Sequence, residues 1–181
     1  MLFLGFGSGL PYILLISTST AWLRDVNVDL SYIGFFTWIT FTYTFKFAWA
    51  PLVDRFSVPF LAQYGHRKSW IAFMQILIFL SLLFISNIDP IENFILFCIV
   101  GATIAFAGSI QDIAIDAFRI EYAHISDQGN LAASYQLGYR LAIIAATSIA
   151  LIFADINGWS MTFKLMAGLM CLGLLGVIFS K

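Results

Sequence analysis

The sequence predicts an all-α, polytopic membrane protein whose six hydrophobic stretches form one helical bundle. Across 181 residues the hydrophobic fraction is 61% and the charged fraction 10%, with a mean hydropathy of +0.91. A soluble domain is about half apolar and about a quarter charged. Six stretches reach the roughly 20 residues that a helix needs to cross a bilayer: 2–21, 32–52, 69–88, 93–117, 131–154 and 161–179. The period-two alternation of an outer-membrane barrel strand is absent.

The first stretch carries Gly5, Gly7 and Gly9 ahead of Pro11. No strand precedes these glycines and their spacing is not that of a dinucleotide fingerprint, so they are expected to form a close-packing surface, with a kink at Pro11. The stretch lacks a basic leader and five further spans follow it, which sets it apart from a signal peptide. The second stretch holds Lys46, with Thr42 one turn before it. The third follows a connection containing Arg55, Arg67 and Lys68. In the fourth, Gly101, Ala105 and Ser109 recur every four residues and lead into Asp112, Asp116 and Arg119, which share one helix face at i, i+4 and i+7. The fifth repeats small residues at Ser134, Gly138, Ala142, Ala146 and Ala150, the kind of stripe that lets helix backbones approach. Gln136, Arg140 and Thr147 lie on another face, because two residues turn a helix by about 200°. The sixth begins near Lys164. Cys98 and Cys171 have no metal or redox spacing around them and are expected to be buried.

Lysine and arginine concentrate in the connection after the second stretch, after the fourth and at Lys181. The positive-inside rule therefore places both termini in the cytoplasm. Trp22, Trp49, Trp70 and Trp159 fall near span ends, as interfacial anchors do. A net charge of −1 without a basic run gives no sign of nucleic-acid binding. No nucleophile–base arrangement, metal spacing or phosphate loop points to an enzyme or to a bound cofactor.

An ionised group at bilayer depth costs roughly 2.5–3.5 kcal/mol on insertion scales, so such groups face a protein interior or a water-filled path. Lys46, Asp112, Asp116 and Arg140 have two readings. They form static ion pairs that fix how the second, fourth and fifth spans meet, or a cation binds an anionic or polar substrate while a carboxylate takes up and releases a proton. Asp112 is the better proton site, because Asp116 lies within a turn of the cytoplasmic boundary. Tyr139, Gln136 and Thr42 could supply neutral hydrogen bonds to a sugar-like ligand. His66 and His124 are expected to be solvated surface residues.

Ala50-Pro51-Leu52-Val53-Asp54-Arg55, followed after an insertion by Gly65-His66-Arg67-Lys68, resembles the loop signature between the second and third helices of the major facilitator superfamily. Ala50 stands where that signature has glycine, and the insertion 56–64 is atypical. The runs Gly5 to Pro11, Ala21 to Asp25, Tyr43 to Phe47, Gln111 to Arg119 and Leu137 to Arg140 together resemble the AmpG-type muropeptide permeases of that superfamily, in a match reaching to about Trp159. The resemblance implies a bacterial inner-membrane protein that imports anhydromuropeptides with protons as the coupling ion. It implies that Lys46, Gln111, Asp112, Asp116 and Arg140 line or control the path, to which the reading of the residues themselves adds Gln136 and Tyr139. Asp54, Arg55, Gly65, Arg67, Lys68 and Arg119 would form the cytoplasmic gate loop.

Acetyl-CoA transporters share a similar lysine-containing second span and Gln-Asp-Ile-Ala motif, and are the nearest alternative within transport. The resemblance covers the N-terminal six-helix half of a two-bundle fold, with the C-terminal bundle absent. A single bundle would be inactive alone, or would work with a separately encoded second half or as a homodimer. A membrane sensor or assembly partner that does not transport is the alternative from another class.

Overall fold

A computed structural model describes residues 1–56, 58, 65–122, 124 and 126–179. Its regular structure is helical, with no strand among the described residues. We number the helices α1 (Leu2–Asp25), α2 (Leu30–Thr37), α3 (Phe41–Thr44), α4 (Ala50–Arg55), α5 (His66–Ile85), α6 (Phe94–Tyr122), α7 (Gln128–Asn157) and α8 (Trp159–Phe179). Five of them, α1 and α5 to α8, are long and apolar enough to cross a membrane.

The second span, expected as one helix over 32–52, is instead a chain of short helices. α2, α3 and α4 are separated by 3₁₀ turns at Trp38–Thr40 and Lys46–Ala48. Threonine chemistry accounts for much of this. The hydroxyl of Thr37 donates to the Gly34 carbonyl at 2.6 Å, that of Thr40 to Thr37 at 2.7 Å and that of Thr42 to Ile39 at 2.7 Å. Such back-bonds draw carbonyls away from the i→i−4 ladder and bend a helix. Pro51, in the first turn of α4, suits a fresh helix start.

α1 is the central element, packed against α7, α8 and α6. Its approach to α7 is backbone to backbone. A Cβ on Gly5 would overlap the Tyr135 carbonyl, and one on Gly138 would overlap the Leu2 carbonyl. The stripe Gly138, Ala142, Ala146 and Ala150 is buried along this seam. α1 runs through Pro11 as α-helix and widens to a π turn at Leu14–Thr18. The Thr18 hydroxyl there donates to the Ala146 carbonyl, inside the π turn Ala145–Ile149 of α7. On α6, Gly101 makes room for Phe36, whose ring would lie 2.8 Å from an added Cβ.

Two expectations about individual side chains are corrected. Trp22 is 5% exposed, held by Phe97, Phe163 and a stacked Trp159 at one end of the bundle, so it acts as core there. Cys171 is exposed and Cys98 half-buried, because their helix faces point out of the bundle.

Candidate functional site

Lys46 sits on the 3₁₀ turn between α3 and α4, where the helix breaks turn its side chain toward α6. Its Nζ lies 3.0 Å from Asp112 Oδ2 and 4.0 Å from Asp116 Oδ2. The other oxygen of Asp112 accepts hydrogen bonds from Ser8 Oγ at 2.6 Å and from the Tyr135 hydroxyl at 3.0 Å. Ser8 and Tyr135 themselves touch at 2.8 Å. The carboxylate is thus gripped by three elements: α1, the broken segment and α7. Asp116 reaches Arg119 at 3.5 Å, and the Arg119 guanidinium lies 5.6 Å from the centre of the Tyr135 ring.

A cavity of about 380 Å³ opens beside this cluster, with Lys46, Asp112 and Ser8 on its wall. Tyr12 and Tyr139, with Thr40 and Thr44, give the rest of the lining hydroxyl groups, while Tyr43 lines the cavity with its hydroxyl buried toward Gly108. The cavity therefore offers one ion pair and many neutral hydrogen-bonding groups. Within the cluster Lys46 and Arg119 balance Asp112 and Asp116.

Other expected path residues lie elsewhere. Arg140 and Gln136 are exposed on α7, and Arg140 enters no ion pair among the described residues. Arg140 shares a face with the exposed Leu137 and Ile144, three residues before it and four after it, while Gln136 lies between that face and Tyr139. Gln111 is 0% exposed and turned into the bundle, where its amide nitrogen approaches Gly7 alongside that of Gln75. One step along α6 thus separates the cavity wall at Asp112 from the interior at Gln111.

Of the expected gate residues, Asp54 and Arg67 form a second cluster with Glu121. Arg67 is 16% exposed, bonding Asp54 Oδ1 at 2.6 Å and Glu121 Oε1 at 2.9 and 3.0 Å. It joins the end of α4 to the end of α6. His66, expected to be solvated, is half-buried, with Nε2 2.8 Å from the Val53 carbonyl. Lys68 Nζ lies 5.7 Å from the Phe118 ring centre. Gly65 has φ of 103°, a left-handed conformation that favours glycine. Arg55 is exposed, and Arg119 belongs to the Asp116 cluster. The rest of the insertion, 57 and 59–64, lies outside the described residues, as does Lys181.

Sequence reasoning missed Ser8, Tyr12, Tyr43, Tyr135 and Glu121. Tyr135 had a usable signal, since it stands one turn before Tyr139. No group of three or more His, Cys, Asp or Glu among the described residues could hold a metal ion.

This chain is similar to several bacterial proteins. It is 37% identical over 171 residues to the "Anhydromuropeptide permease" of Escherichia coli K12, an alignment covering 94% of this chain and 34% of the relative. A Rickettsia conorii protein carrying the AmpG 4 transporter name is 35% identical over 166 residues, covering 91% of this chain and 40% of the relative. An uncharacterised Haemophilus influenzae protein is 33% identical over 177 residues, covering 98% and 41%. The chain thus spans between a third and about two fifths of the length of these relatives. A family model described as Acetyl-coenzyme A transporter 1 matches residues 1–120, more than half of the chain. The chain therefore belongs to the transporter family which that model describes, and its similarity extends to the anhydromuropeptide permease and the AmpG transporters.

Proposed function

We propose that this chain forms one six-helix half of a proton-coupled permease of the AmpG type, which imports anhydromuropeptides across the bacterial inner membrane with both ends of this half in the cytoplasm. The observation that carries the reading is the Lys46–Asp112 pair at 3.0 Å beside a hydroxyl-lined cavity. A sugar-peptide has many hydroxyl and amide groups and few charges, which suits a wall of tyrosines and threonines. Arg140, whose charge no carboxylate neutralises among the described residues, is the group we assign to a substrate carboxylate. A second bundle, from another chain or a longer polypeptide, supplies the opposing wall and allows the two to rock about the site.

In this reading the ion pair is the coupling element. A proton arriving at Asp112 removes its charge and frees Lys46, whose ammonium turns to the substrate. Ser8 and Tyr135 hold the carboxyl group in place through the exchange. When the proton leaves, Asp112 recaptures Lys46 and the substrate is released.

The test is uptake of labelled anhydromuropeptide by the E. coli relative with its matching segment replaced by these residues. Proton-driven uptake that disappears in Asp112→Asn supports the reading; uptake that survives both Asp112→Asn and Lys46→Met sinks it. The matched family model favours a second reading, in which the cargo is an acyl-coenzyme A. That cargo carries several phosphate charges, against Arg140 as the cation of the expected path that no carboxylate neutralises among the described residues. Competition of the labelled uptake by excess acetyl-CoA separates the two.

A further inference from the structure

A groove of about 830 Å³ lies at the bundle end formed by the connections 26–29 and 90–93, apart from the Lys46–Asp112 site. Its rim and its wall differ in chemistry. Asp29 and Glu92 stand on the rim, both exposed and neither in an ion pair among the described residues, and no lysine or arginine lines the groove. Asn27 and Asn93 share that rim. The wall is Tyr32, packed on Phe94 at 5.2 Å, with Ile91, Ile95 and Ile99, which are 63%, 75% and 58% exposed.

Asp29 immediately precedes α2, and Glu92 and Asn93 immediately precede α6, a helix long and apolar enough to cross a membrane, so this end of the groove is where α6 would enter a bilayer. Ile95 and Ile99 lie one turn apart on α6, a descent of about 6 Å into hydrocarbon. Acidic groups at headgroup level above an exposed apolar wall match an amphiphile whose head is cationic where it meets them.

We propose that this groove seats a phospholipid with a primary ammonium headgroup. Its ammonium rests against Asp29 and Glu92, the amide N–H groups of Asn27 and Asn93 take its phosphate, and one acyl chain runs along Ile95 and Ile99. A lipid whose head is a glycerol phosphate has no cation to offer and meets two like charges, so the groove selects between headgroups of similar size.

The test is lipid retention by this chain in nanodiscs of equal phosphatidylethanolamine and phosphatidylglycerol, released and read by native mass spectrometry. The retained ratio should favour phosphatidylethanolamine at least threefold and fall to the bulk ratio in Asp29→Asn/Glu92→Gln. These carboxylates are exposed and unpaired, so the variant should fold as the parent does. Asp155→Asn removes an exposed carboxylate outside the groove and should leave the preference intact. A parent ratio equal to bulk, a preference that survives the double substitution, or an equal loss in Asp155→Asn overturns the proposal.

Discussion

Replacing Asp112 by asparagine tests the central contact with little change of shape. Asparagine can still accept from Ser8 and Tyr135, now at 2.6 and 3.0 Å from Oδ1, but it presents an NH₂ group or a neutral oxygen to the Lys46 ammonium. At 3.0 Å two unit charges attract by about 5.5 kcal/mol at an effective dielectric near 20. That gross figure needs discounting, because the Lys46 side chain is 41% exposed and that of Asp112 is 20% exposed. An exposed pair contributes about 0.2–1 kcal/mol, and stranding one member of a buried pair costs about 3–5 kcal/mol. This half-buried pair should lie between them, at about 1–3 kcal/mol. The assay is a double-mutant cycle with Asp112→Asn, Lys46→Met and the combination, read by detergent-titrated unfolding in mixed micelles. Each single variant should lose stability and the double should recover part of the summed loss, because it strands neither charge. Strict additivity, with a coupling energy below about 0.3 kcal/mol, would refute the argument that the pair is a single electrostatic unit.

Four further outcomes are expected. Tyr135→Phe removes one donor to the Asp112 carboxylate and should cost about 1.5–3 kcal/mol in the same unfolding assay, with a larger loss when Ser8→Ala has already removed the other hydroxyl donor to that oxygen. Gly138→Ala should cost about 1–3 kcal/mol through overpacking against the Leu2 backbone, whereas Gly34→Ala, which meets nothing within 4 Å, should leave the unfolding midpoint unchanged or raise it. Arg67→Gln should cost about 0.5–1.5 kcal/mol, and a loss that is undiminished in 1 M salt would show that charge is not its origin. Arg140→Gln should change stability by less than about 0.5 kcal/mol yet abolish uptake in the grafted permease; normal uptake would remove Arg140 from the substrate path.

The sequence by itself determined that this chain lives in a bilayer, because transfer free energy is a sum over composition and needs no knowledge of neighbours. It determined the positions of α1 and α5 to α8 for the same reason, and the seam on α7 through the four-residue spacing of Gly138, Ala142, Ala146 and Ala150. It also singled out Lys46 and Asp112, since charge within an apolar run stands out without any structure. The second span escaped it. Hydropathy counts the cost of leaving water and is blind to backbone geometry, while the Thr37, Thr40 and Thr42 back-bonds that accompany the break are matters of geometry. Only the tertiary structure decided which charges meet. Helix rotation turns Gln111 inward and leaves Arg140 outside, and it brings Ser8 and Tyr135, 127 positions apart, onto one carboxylate. Hydrogen bonds and ion pairs depend on separations of a few ångströms, and those are set by how helices pack around Gly5 and Gly138 rather than by any residue read alone.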